Sequence, residues 1–330
     1  MKILVIGGSS FVGRHITERA VKRGHAVTMF NRGKSNPELF PYVEKIRGDR
    51  DKDIDLLTNG EWDAVIDTCG YVPRIVQKSV QALKNNVKQY IFISTVSVYK
   101  DLIEPNKTEE AELAFMEGAI TEEKTPETYG PLKVLCEEKV RDGFDHHLIV
   151  RPGFIIGPYD YSDRFTYWVD RILRNEKVLG PGSRNEYLQF IDARDLAEWL
   201  IDAIERQLIG TYNLTSEPNR YTFEDVLAEC KRMLNPTCTI YWAKDEHLEE
   251  NVQPFVELPF WVPNAWEEKG VFQINVDKAK DVGLKTRPIS ETIRDVGRWL
   301  KESGHHVTEV GMDIKKQKEL IARIEGGDLP

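Results

Sequence analysis

Short apolar runs and helix-spaced apolar stretches alternate along the first half of the chain. Residues 3–6, Ile-Leu-Val-Ile, read as a buried parallel strand, and Ile16, Ala20 and Val21 then recur at helical spacing. Residues 26–30 read as a second strand and 42–47 as a weak third. Residues 64–67 read as a fourth, 89–94 as a fifth and 147–151 as a sixth, with a helix between at about 72–84. This alternation predicts an α/β fold: a doubly wound parallel sheet with helices on both faces.

Beyond Pro152 the pattern changes. It predicts helices over 164–175, 193–204, 222–234 and 314–325, with Thr222 as a cap. Residues 179–182, Leu-Gly-Pro-Gly, read as a break, 187–191 as a strand and 210–214 as a further sheet strand. The expected division is a dinucleotide-binding domain over 1–152, with additions from about 187–214. A smaller C-terminal substrate lobe takes 153–186 and 215–330. The Glu-rich stretch 100–128 reads as an excursion above the sheet, either a lid or a solvated acidic insertion. The Pro- and Trp-rich stretch 253–266 reads as a substrate wall or as aromatic packing under a loop.

Glycines sharpen the picture. The first strand ends in Gly7-Gly8-Ser9-Ser10-Phe11-Val12-Gly13 and a helix follows. Such a turn admits a dinucleotide pyrophosphate, because glycines let the backbone approach and free N–H groups at the helix start face the anion. Ser10 stands where a middle glycine is expected, and an ordinary strand-to-helix turn would use some of the same letters. The tip of the second strand reads Asn31-Arg32-Gly33-Lys34. A carboxylate there would bind the ribose 2′-hydroxyl of NAD. Its absence, with two cations adjacent, points to NADP, with NAD as the alternative. Asp49 lies in a turn and would either approach an adenine amino group or serve the turn itself. Thr68, Cys69, Gly70, Ser94 and Pro152 lie at strand exits, where ligands of such sheets bind.

Composition narrows the function. The 330 residues are 41% hydrophobic and 30% charged, with a net charge of −9, which disfavours a nucleic-acid binder. No run is long enough to span a bilayer and no targeting segment is visible. The four cysteines lack metal-ligand spacing and fit a reduced, cytoplasmic chain. The oligomeric state is open, a homodimer included.

Thr95 follows the fifth strand, and Tyr129-Gly-Pro-Leu-Lys133 opens a helix-patterned stretch. Residues four apart share a helix face, so Tyr129 and Lys133 are expected to project together. A neighbouring ammonium would lower the pKa of the phenol, fitting it to exchange a proton with a substrate hydroxyl or carbonyl. Thr95 would donate to the same oxygen. Arg164, Arg184, Tyr187 and Gln189 are candidates to face the substrate.

With these residues the chain resembles the NAD-dependent epimerase/dehydratase family of extended or atypical short-chain dehydrogenases/reductases. The resemblance rests on residues 7–13, Ser94-Thr-Val-Ser-Val-Tyr99, Tyr129 to Lys133, Arg151-Pro-Gly-Phe-Ile-Ile-Gly-Pro158 and Phe190-Ile-Asp-Ala-Arg-Asp195. Phe30-Asn-Arg-Gly33 is similar to a subgroup containing bacterial epimerases or reductases and chloroplast relatives that bind RNA. The resemblance implies a Rossmann-type fold, Thr95, Tyr129 and Lys133 as catalytic residues, and Lys133 on the nicotinamide ribose. It further implies a small-molecule substrate, a sugar or sugar nucleotide. Sugar-nucleotide 4,6-dehydratases carry Asp-Glu after the threonine. This chain has Val96-Ser97 and lacks that acid and base. The expected activity is NAD(P)-dependent epimerisation or reduction. The alternative is a non-catalytic dinucleotide-binding redox sensor or RNA-binding protein.

Overall fold

The computed structural model describes residues 1–116, 118 and 121–327. The first half runs β1 (Lys2–Ile6), α1 (Phe11–Lys22), β2 (Ala26–Asn31), β3 (Glu44–Arg47), β4 (Trp62–Asp67), α2 (Pro73–Leu83), β5 (Val87–Ile93), α3 (Pro126–Gly143) and β6 (His147–Pro152). The second runs β7 (Phe154–Ile156), α4 (Arg164–Arg174), β8 (Lys177–Pro181), β9 (Tyr187–Leu188), β10 (Phe190–Asp192), α5 (Ala193–Glu205) and β11 (Gly210–Leu214). It closes with β12 (Tyr221–Thr222), α6 (Phe223–Leu234), β13 (Thr239–Ala243), α7 (Asp245–Asn251), α8 (Asp277–Asp281), α9 (Ile289–Ser303) and α10 (Ile314–Glu325).

The central sheet is parallel throughout, in the order β11-β6-β5-β4-β1-β2-β3. Strand period dictates its two cores. Ile3, Val5, Ile66, Ile91 and Val150 point to one face, which also buries Ile16 of α1 and Leu200 of α5. Leu4, Ile6, Val65, Tyr90 and Phe92 point to the other, with Val76 of α2 and Val140 of α3. The chain winds one way from β1 through β2 to β3 and the other way from β4, so a crevice opens beyond the carboxyl ends of the paired strands β1 and β4, where their connections diverge.

A third cluster forms after Pro152 from Phe165, Trp168, Phe223, Phe260, Trp261, Val296, Leu300 and Ile321. Three expectations are corrected in this region and beside it. The strand over 187–191 divides at Gln189: β9 pairs with β12 antiparallel, and β10 pairs with β7 parallel. Gln189 turns inward and bonds the Ser216 and Ile274 backbones. The break at 179–182 is largely strand, since β8 pairs with β13 and Gly180 packs against the Trp242 ring. The acidic stretch 100–128 is not wholly a surface excursion. Buried Glu109 accepts the Asn213 N–H at 2.7 Å, and Lys107 bridges to Ile274. Residues 117, 119 and 120, within that expected lid, lie outside the described residues. Thr222 caps α6 as expected, with Asp225 returning the bond.

Candidate active site

The carboxyl ends of the strands surround a cleft of about 1020 Å³. Its floor is the turn from β1 to α1. Gly7 and Gly8 adopt φ of +108° and +84°, which side chains rarely tolerate. A β-carbon on Gly7 would stand 2.3 Å from the Thr68 hydroxyl oxygen, and one on Gly13 would stand 2.7 Å from the Gly8 nitrogen. Thr68 is fixed there by donating to the Ile6 carbonyl at 2.8 Å. Ser10 is the N-cap of α1 but makes no side-chain cap hydrogen bond. The first N–H groups of the helix therefore have no side-chain acceptor, and Ser9, Ser10, Phe11, Val12 and Gly13 line the cleft. This bared backbone at a helix start fits a dinucleotide pyrophosphate.

Beside the turn, Asn31 occupies the tip of β2. Its amide donates to the Gly7 carbonyl at 2.8 Å and its oxygen accepts the Gly33 N–H at 2.9 Å and an Arg47 N–H. Asn31 thus ties the strand tip to the glycine turn. Arg32 and Lys34 are exposed and line the cleft, and Arg47 brings a third cation to this corner. Asp49 also lines it, with one carboxylate oxygen accepting the Asp51 N–H. Arg50, which sequence reasoning missed, forms a bidentate pair with buried Asp67 at 2.7 and 2.8 Å and donates to Ser79. Tyr90 donates to the same carboxylate at 2.9 Å. Burial opposes ionisation of Asp67, yet the guanidinium keeps its pKa below the ordinary carboxylate value. Cys69 lines the cleft beside this pair, its thiol pushed up by burial.

Tyr129, Lys133 and Glu137 lie at four-residue spacing along α3 and meet the ends of the central strands. Thr95 caps the turn after β5 by accepting the Ser97 N–H at 3.1 Å. That turn packs so closely on α3 that a β-carbon on Gly130 would lie 2.1 Å from the Ser97 carbonyl oxygen. Lys133 is 2% exposed and donates to the Gly70 and Ile93 carbonyls, each at 2.7 Å. Burial lowers its pKa to about 8. Burial also holds the Tyr129 phenol above its ordinary value, against the lowering effects of the Thr95 hydroxyl and the Arg164 charge. The expected lowering by Lys133 is not the controlling effect. Its ammonium is drawn to the strand-end carbonyls, with the Tyr71 ring 5.4 Å away.

Every residue expected to bind the cofactor or to carry the catalysis lines this cleft except Gly70, which contributes its carbonyl to Lys133. Ser94 reaches the cleft, but its hydroxyl donates to Glu137, the partner of Arg151. Pro152 closes the cleft at the end of β6. Of the four substrate candidates, Arg164 lines it. Arg184 instead approaches Glu224 at 3.8 Å, and Gln189 is committed to backbone. Tyr71, Asp160 and Tyr161 line it without having been foreseen. Asp160 accepts the Ser162 N–H at 2.8 Å, while its other oxygen is buried without a partner. Burial pushes its pKa up to about 6.

A model of the NAD dependent epimerase/dehydratase family matches residues 3–214. The chain belongs to this family. It is 26% identical over 251 residues to the chloroplast stem-loop binding protein of 41 kDa b of Arabidopsis thaliana, covering 70% of this chain and 62% of that protein. It is 26% identical over 272 residues to eugenol synthase 2 of Clarkia breweri, covering 76% of this chain and 81% of that protein. UDP-glucuronic acid 4-epimerase from Bacillus cereus, solved in complex with NAD, superposes with a TM-score of 0.68 at 16% identity, covering 92% and 97% of the two chains. That likeness is one of fold. Family membership makes the chain an NAD(P)-dependent enzyme of the short-chain dehydrogenase type. Among the described residues no helix is long and apolar enough to cross a membrane, and no His, Cys, Asp and Glu cluster could hold a metal.

Proposed function

We propose that the chain is an NADP-dependent reductase or epimerase acting on a carbonyl or secondary alcohol, with a sugar or sugar nucleotide as the substrate class. The observation that carries this reading is the meeting of Thr95, Tyr129 and Lys133 in the cleft floored by the glycine turn. The turn and the start of α1 would hold the pyrophosphate. Arg32 and Lys34 would hold a 2′-phosphate, and Lys133 the nicotinamide ribose. When bound, the nicotinamide supplies or accepts the hydride. Tyr129 exchanges a proton with the substrate oxygen, which Thr95 aligns by a hydrogen bond. A phenol carries its proton at neutral pH, as a donor in the reductive direction must. Epimerisation would use the same phenol in both directions on one oxygen. The first half of the chain would serve the dinucleotide and the part after Pro152 chiefly the substrate.

The test has two steps. Calorimetric titration compares NADP+ with NAD+, and hydride transfer from NADPH is then followed across a panel of carbonyl compounds. Absence of binding by either nucleotide contradicts the reading. Binding without transfer to any member, together with stem-loop RNA binding, favours a binding protein instead.

A further inference from the structure

A second cavity of about 600 Å³ adjoins the first and shares Ser97, Pro126, Tyr129 and Val271 with it. If the dinucleotide takes the first, this one is left for the rest of the substrate, and the inference rests on that reading. We propose that the second cavity receives a flat, uncharged ring of the substrate and excludes a nucleoside diphosphate.

Its walls are aromatic and apolar. Phe255 and Trp266 stack with centroids 6.4 Å apart and planes at 22°, and Phe115, Val262 and Pro131 join them. Phe115 is 63% exposed and Trp266 43% exposed. Rings left in water at the mouth of a cavity gain by covering a flat apolar guest. The Phe255 ring continues into Phe154 of the first cavity, stacked at 6.1 Å. An aromatic wall thus runs from Phe154 in the first cavity through Phe255 to Trp266 in the second.

Charge decides against a diphosphate. Such a group is held by charge-assisted donors, above all arginine. Among the described residues lining this cavity the sole cation is Lys100, already paired with Glu112 at 2.9 Å. Asp101, Glu127 and Glu268 line it as well, and Asp101 pairs with Lys107 outside it. Arg164 and Lys124 belong to the first cavity. A diphosphate placed here would meet more carboxylate than ammonium. The part of the substrate that enters this cavity is thereby narrowed to a ring that brings no diphosphate into it.

The test is calorimetric titration of the protein, free and loaded with NADP+, with 1-indanone, uridine and UDP. The two ring probes separate an aryl ring from a nucleobase. At least one of them should bind, and UDP should bind the loaded protein no more tightly than uridine does. Trp266→Ala and Phe115→Ala should each weaken ring binding about tenfold, the value of one aromatic contact. NADP+ titration of these variants reads whether the fold survives, and both side chains are exposed enough to remove. Tighter binding of UDP than of uridine to the NADP+-loaded protein overturns the proposal. So does ring binding indifferent to both variants, or no binding by either ring. Failure of NADP+ itself to bind sinks the parent reading, and ring binding by the free protein, compared with Trp266→Ala and Phe115→Ala, then judges the cavity alone.

Discussion

Gly130 meets the Ser97 carbonyl where a β-carbon would lie only 2.1 Å from the oxygen. This contact presses the turn carrying Thr95 against the first turns of α3, which carry Tyr129. Alanine at this helix position would ordinarily gain roughly 0.5–1 kcal/mol. Here it collides with backbone, and overpacking costs roughly 1–3 kcal/mol. Gly130→Ala should therefore lower the denaturation midpoint and depress turnover by separating Thr95 from Tyr129. An unchanged midpoint with unchanged turnover would remove this contact from the account.

Lys133 gives a pH dependence. Its folded pKa of about 8 lies below the ordinary 10.5, so the folded lysine loses its proton first as pH rises. Below pH about 8 it is a cation in both folded and unfolded chains. NADP+ affinity and turnover should therefore fall as pH passes about 8. Lys133→Met should reduce both at neutral pH and abolish that fall. Titrations of cofactor affinity against pH check this, and a wild-type profile identical to that of Lys133→Met would refute the assignment.

Cofactor choice is tested at the tip of β2. Arg32→Ala should weaken NADP+ binding by roughly tenfold to a hundredfold, the worth of charge-assisted hydrogen bonds, and leave NAD+ binding little changed. Asn31→Asp should move preference toward NAD+, since a carboxylate there can accept from the ribose and repel a 2′-phosphate. Tighter binding of NAD+ by the unmodified protein would defeat the NADP assignment.

The sheet was legible because its strands are buried on both faces and read as apolar runs, and Gly7 and Gly13 carry a backbone need visible as letters. Tyr129 and Lys133 were legible through their spacing. Arg50 was not, because it lies in the turn after β3 while its partner Asp67 ends β4, and nothing local marks the pair. The strand β8 was obscured by Gly180 and Pro181, which the pairing with β13 tolerates at the sheet's edge. The direction in which the Tyr129 phenol moves was missed for a related reason. Sequence spacing gives the neighbour on the helix, but burial and the acceptors at Gly70 and Ile93 come from tertiary packing.

Asp160 carries a buried cost. Its folded pKa of about 6 exceeds the ordinary 3.8, so ionisation favours the unfolded chain. The penalty is absent below the unfolded value, grows between 3.8 and about 6, and is fully present above that. Asp160→Asn should stabilise the protein at neutral pH by roughly 1–3 kcal/mol, since each tenfold change in proton affinity on folding is worth about 1.4 kcal/mol. The gain should vanish at low pH. Denaturant melts at both ends of this window decide it, and a stability difference independent of pH would count against the unpartnered carboxyl as its cause.

The central claim is that Tyr129 moves the proton while hydride passes to or from the cofactor. The most direct measurement is transfer of deuterium from NADPH deuterated at the reactive carbon into a carbonyl acceptor, followed in the unmodified protein and in Tyr129→Phe. That variant removes one hydroxyl and keeps the ring, so NADP+ affinity should be retained. A positioned acid–base group contributes roughly 100- to 10,000-fold, and deuterium transfer should fall by that factor. Near-normal transfer in Tyr129→Phe, with cofactor affinity intact, would contradict the account.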